Sequence, residues 1–115
     1  MKKTLVALAA LGAAGAMSTP AFSAEPIVGK WRAPGGGVVR VAPCGGAYCA
    51  TVITGENKGK AVGQMTGSGG EYAGTVTDPR DNRTYSGTAS VGPSQLKLTG
   101  CALRVFCKTQ TWVRM

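Results

Sequence analysis

A chain of 115 residues with a net charge of +8, four cysteines and no histidine has room for one small domain and little more. The missing histidine removes the usual general base and most hydrolase triads, and it leaves four cysteines as a poor basis for a zinc site. No catalytic residue, metal or cofactor is expected, and the chain is read as a non-enzyme.

Residues 1–24 have the form of a Sec-type signal peptide. Lys2 and Lys3 supply the positive start, and Leu5 to Met17 are uncharged, apolar or small. The run is shorter than the ~20 residues of a membrane span, so no span is expected. Cleavage after Ala24 fits, with cleavage after Ser23 as the alternative. No cysteine stands near the junction, which argues against a lipoprotein. Residues 25–115 then form a single domain in the periplasm or outside the cell. There the polyanions a basic protein meets are lipid headgroups, polysaccharide or acidic proteins, and no nucleic acid partner is expected.

The mature chain shows no helical period. Apolar residues alternate in short runs separated by Gly, Pro, Asn and Asp, the pattern of strands and tight turns. In order, the runs predict strands at Ile27–Arg32, Val38–Ala42, Tyr48–Thr54, Ala61–Met65, Glu71–Thr77, Thr84–Ser90, Gln95–Thr99 and Cys107–Arg114. Between them stand reversals such as Pro34-Gly35-Gly36-Gly37, Gly45-Gly46, Gly67-Ser68-Gly69-Gly70 and Asp78-Pro79-Arg80-Asp81-Asn82. About eight short strands with tight loops imply an all-β antiparallel up-and-down barrel, since closure removes exposed edges. A two-sheet sandwich is the structural alternative. The cations from Lys30 to Arg114 are spread along the chain without a cluster.

Two cysteine brackets punctuate this meander. Cys44 and Cys49 enclose four residues, two of them glycine, and Cys101 and Cys107 enclose Ala-Leu-Arg-Val-Phe. Each spacing suits a local disulfide across a hairpin. Loop entropy alone would favour crossed pairing such as Cys44–Cys107; proximity in sequence favours the local pairs, which are the expected ones. The apolar second bracket is read first as a plug on the core. The alternative is a pre-ordered hydrophobic lip for a ligand or partner.

At the chain ends, Gly29-Lys30-Trp31 and the late Arg114 have the arrangement of lipocalins, in which an arginine stacks on the first-strand tryptophan and seals one end. Trp31, Trp112 and Arg114 are the expected closure residues. Pro43-Cys44-Gly45-Gly46-Ala47-Tyr48-Cys49, the segment from Asp78 to Gly87, Leu96 to Cys101, and Cys107 to Arg114 follow in order. Together these motifs resemble a bacterial exported family known as domain of unknown function 2147. The resemblance implies a lipocalin-like barrel in the periplasm or secreted, and no reaction. Relatives carry a longer strand and insert after the first bracket. Here Ala50–Thr54 runs straight into Gly55-Glu56-Asn57, a shorter wall that speaks against a large cavity.

Within the domain the acids are Glu56, Glu71, Asp78 and Asp81, with Glu25 at its start. Asp78 and Asp81 lie in a turn, where such side chains bond their own backbone. The expected function is a binding module for an apolar or amphipathic small molecule such as a lipid, with Tyr48, Tyr85, Leu103, Phe106 and Gln110 as ligand contacts. The alternative is a protein-interaction module, such as an inhibitor or accessory of an envelope enzyme. The chain is expected to be a monomer.

Overall fold

The computed structural model describes residues 25–102 and 106–115. The leader and residues Leu103, Arg104 and Val105 lie outside the described residues. Eight antiparallel strands run β1 Gly29–Arg32, β2 Val38–Cys44, β3 Ala47–Val52, β4 Ala61–Ser68, β5 Glu71–Asp78, β6 Arg83–Val91, β7 Gln95–Ala102 and β8 Phe106–Arg114. Each pairs with its successor and β8 pairs with β1, so the sheet closes into a barrel rather than a sandwich.

Side chains alternate across each strand, and the register puts the apolar set inside. Trp31 faces Val39 and Arg114; Ala89 faces Leu98 and Tyr72; Leu96 faces Trp112. The apolar residues of these pairs, with Val41, Val52, Val62 and Met65, form one buried core, and Arg114 is half-buried at its edge. Both disulfides are local, Cys44–Cys49 and Cys101–Cys107. Gly45 and Gly46, at φ 61° and 89°, make the two-residue reversal between β2 and β3 that the right-handed strand twist favours.

Strand limits differ from expectation where side chains recruit the backbone. Ile27 and Val28 do not extend β1. Val28 N–H turns back to the Glu25 carbonyl, and the Ile27 carbonyl accepts from Trp31 Nε1 at 2.9 Å. At the second bracket, strand pairing continues through the cysteines themselves, with Cys101 directly opposite Cys107. The first bracket is offset: Cys44 stands opposite Ala47, and Cys49 opposite Ala42.

Three inward positions on adjacent strands are glycines in direct register, Gly74 opposite Gly87 and Gly87 opposite Gly100. A Cβ on Gly74 would collide with the Gln64 carbonyl, and one on Gly87 with the Val76 and Met65 side chains. The missing side chains let this wall approach its contents closely.

Candidate functional site

The barrel has two unlike ends. At one end the turns at residues 45–46, 69–70 and 92–94 meet the segment Glu25–Val28 and the last residues of the chain. Here Trp31 is fully buried, and the Arg114 guanidinium carbon lies 4.1 Å from its ring centroid. Arg114 also donates to the Val28 and Pro26 carbonyls. The guanidinium therefore links the last strand, the first tryptophan and the entry segment. Through these contacts Trp31 and Arg114 meet at this end of the barrel. Trp112 packs beside them in the core and donates through Nε1 to Gln110 Oε1 at 3.0 Å.

Glu25 completes this end. Its Oε1 accepts from Gly69 N–H at 2.7 Å and from Tyr72 Oη at 2.8 Å. Burial, and then the hydrogen bond to Glu25, raise the Tyr72 pKa. Tyr72 in turn meets Tyr48 edge-on, ring centroids 5.8 Å apart. Sequence reasoning passed over Glu25 because nothing local connects it to a residue 47 positions away.

The interior between the ends is nearly filled. Among the described residues a void of about 30 Å³ lies inside the barrel, lined by Tyr48, Val62, Met65, Leu96, Leu98 and Trp112 among others. That space holds a water or so, whereas small-molecule pockets run to ~300–1,000 Å³.

The other end is not closed in the same way. β1 has four residues and β8 nine, and they meet in two residue pairs, Trp31 with Arg114 and Arg32 with Val113. Beyond Arg32 the chain turns away, with Ala33 N–H donating to the Gly37 carbonyl. Among the described residues the stretch Phe106–Thr111 is therefore paired on its β7 side and uncovered on the other. Register with the buried Leu98 assigns Gln110, Lys108 and Phe106 to the inward side of the wall, yet all three are exposed, Phe106 at 69%. The expectation that the second bracket plugs the core fails for Phe106. It points to the concave side at a level that β1 never reaches, so no core lies beneath it.

Of the expected ligand contacts, Tyr85, Phe106 and Gln110 share this concave face of β6–β8. Tyr85 is half-buried, its Cβ 4.0 Å from where a Cβ on Gly100 would stand. Tyr48 belongs to the closed end, and Leu103 lies outside the described residues. The site is thus an open ledge rather than a cavity.

The acids of the 78–82 turn are used locally. Asp78 Oδ1 accepts from Arg80 N–H at 2.9 Å, and Asp81 Oδ1 from Arg83 N–H at 3.0 Å. The Arg80 side-chain hydrogen bond holds the Asp78 pKa down at about 2. A carboxylate held so firmly ionised is a turn fastener and a poor general acid.

The charges are less dispersed than their spacing in sequence suggests. Lys30, Arg32 and Arg40 share the convex face of β1 and β2, with Lys30 directly opposite Arg40. Lys97 joins them from β7, opposite Thr111 of β8. Among the described residues the ion pairs are Arg80–Asp78 and Arg83–Asp81, so these four cations have no carboxylate partner there.

Residues 29–114 match a family described as uncharacterized proteins conserved in bacteria, DUF2147. The chain belongs to that family. No curated protein and no solved structure matches it. Two disulfides in a bacterial family are consistent with a location outside the cytoplasm. Among the described residues no helix is long and apolar enough to cross a membrane.

Proposed function

We propose that the protein is an interaction module of the periplasm or cell exterior, which binds a protein partner over the open ledge of β6–β8. The observation that carries this reading is the contrast between a nearly filled interior, with about 30 Å³ of free space, and an uncovered end presenting Phe106. An aromatic anchor 69% exposed beside Tyr85, Lys108 and Gln110 has the amphipathic make-up of an interface centre. Two disulfides and a stacked Trp–Arg seal make the platform rigid, which lowers the ordering cost of association. The excess of positive charge would favour an acidic partner and speed encounter with it.

The small-molecule reading keeps one point in its favour, the shared placement of Tyr85, Phe106 and Gln110. Its ligand would have to lie on the ledge, because the interior has no room for it. Native mass spectrometry of protein taken from its own cell envelope separates the two. A bound protein, lost on Phe106→Ser without a fall in melting temperature, supports the interaction reading. A retained lipid and no protein would replace it with the small-molecule reading.

A further inference from the structure

The uncovered part of β8 is more than a surface, because its backbone is unpaired on one side. Arg114 N–H donates to the Ser94 carbonyl on the β7 side, and Met115 N–H donates to the Lys30 carbonyl on the β1 side. In an antiparallel strand such directions alternate residue by residue. With Arg114 turned to β7, the even-numbered residues bond β7. Val113, Thr111, Thr109 and Cys107 direct their N–H and C=O groups the other way. Val113 meets Arg32 there. Among the described residues no backbone group meets Cys107, Thr109 or Thr111. The Cα atoms of Cys101 and Cys107 are 4.0 Å apart, as suits a pair that exchanges no backbone hydrogen bonds. Three donors and three acceptors thus stand in a row of about 17 Å at the spacing of a sheet ladder.

We propose that this edge, from Cys107 to Thr111, is a strand-addition site for an extended acidic segment of a partner protein, a mode of binding that rests on the interaction reading above. The incoming strand lies in line with β1 and antiparallel to β8, filling the place that a longer β1 would occupy. Main-chain hydrogen bonds supply the grip, and alternate side chains supply the choice of partner. Those facing the ledge meet Phe106, Lys108 and Gln110. Those on the convex side approach Arg32 at the foot of the edge, with Lys97 of β7 opposite Thr111.

Charge selects the occupant. Lys108 in the middle of the edge and Arg32 at its foot repel a basic strand. A second mature copy, itself carrying +6 once Lys2 and Lys3 of the leader are left out, is disfavoured for the same reason.

The test uses the oxidised mature protein and two soluble peptides, one alternating Glu and Val, the other alternating Lys and Val. In the free protein the amides of Cys107, Thr109 and Thr111 should exchange with solvent far faster than those of Lys108 and Gln110. The Glu–Val peptide should protect those three amides and bind about tenfold tighter than the Lys–Val peptide. Thr109→Pro removes one edge donor and spares the backbone ladder to β7, but gives up the exposed Thr109–Thr99 hydroxyl bond at 2.9 Å. The comparison is therefore with Thr109→Val, which loses only that bond; relative to it Thr109→Pro should keep the melting temperature and lose peptide binding. Lys108→Glu should reverse the order of the two peptides. Equal binding of both, no binding, or protection of other amides would overturn the proposal. So would a dimer that protects Thr109 without peptide. Peptide binding that survives Thr109→Pro but is lost in Phe106→Ser moves the contact to the ledge, overturning strand addition while leaving the interaction reading intact. An envelope preparation in which the native protein carries no partner overturns that reading itself.

Discussion

Replacing Trp31 by Ala tests the closed end most directly. The side chain is fully buried and packs in the same core as Val39, Leu96 and Trp112. Truncating a buried aromatic of this kind costs ~3–5 kcal/mol. The Ile27 carbonyl loses its Nε1 donor at the same time, adding ~1 kcal/mol or more if water does not replace it. A small domain has little more than ~5–10 kcal/mol in total, so Trp31→Ala should be barely folded at 25 °C, and Trp31→Leu, which removes the π face and keeps an apolar side chain, is the working variant. Arg114→Ala loses the stacking on Trp31, worth ~0.5–2 kcal/mol, and the donors to Val28 and Pro26. The bonds to Val28 and Pro26 do not involve the indole, so coupling should be partial. A double-mutant cycle by urea unfolding of the oxidised protein should give about 1 kcal/mol between Trp31→Leu and Arg114→Ala. Additive losses would refute the seal and imply that β1 and β8 are held by their two register pairs alone.

Three further outcomes follow from the same geometry. Gly74→Ala places a methyl against the Gln64 carbonyl, which is backbone and cannot step aside; thermal unfolding should show a loss of ~1–3 kcal/mol, larger than that of Gly100→Ala, whose nearest neighbour is 4.0 Å away. Tyr72 should titrate above the ordinary phenol value of 10.0 in an ultraviolet pH titration; Glu25→Ala should lower its pKa only in part, because burial is the larger cause, and stability should fall as pH rises past 10, where the fold opposes ionisation. Asp78 has its folded pKa lowered to about 2, so its contribution to stability is present above the unfolded value near 4 and is lost as pH falls from there toward 2; the loss should be small and weakened by salt, because Arg80 is largely exposed, and Asp78→Asn should abolish it.

Much of the architecture was legible from residues close together in the chain. Alternation and punctuating glycines located all eight strands, because strand period and turn chemistry are local properties. Their limits were less legible: β2, β5, β6 and β8 were short by one or two residues at an end, β4 and β7 short by three, and β1 and β3 were expected to run two residues past one of their observed ends. The cysteine spacings indicated local disulfides for the same reason, and Asp78 and Asp81 bond their own turn as Asx residues do. Trp31 and Arg114, 83 positions apart, were recognisable as a pair through the expected closure, which makes the first and last strands neighbours, and through the lipocalin-like Gly-x-Trp and late Arg. Tertiary structure decided the rest. Whether an inward position is core or ledge depends on how far the opposite strand extends, so the short β1 leaves Phe106 in solvent although its bracket reads as apolar. Glu25 finds Gly69 and Tyr72 through the folding of the entry segment, and the scattered cations gather because strand pairing sets Lys30 beside Arg40. Backbone direction at Cys107, Thr109 and Thr111 follows from a register that no single strand specifies. The sequence alone determined a stapled eight-strand barrel; the mismatch in length between its first and last strands, visible only once they meet, decided where that barrel is open.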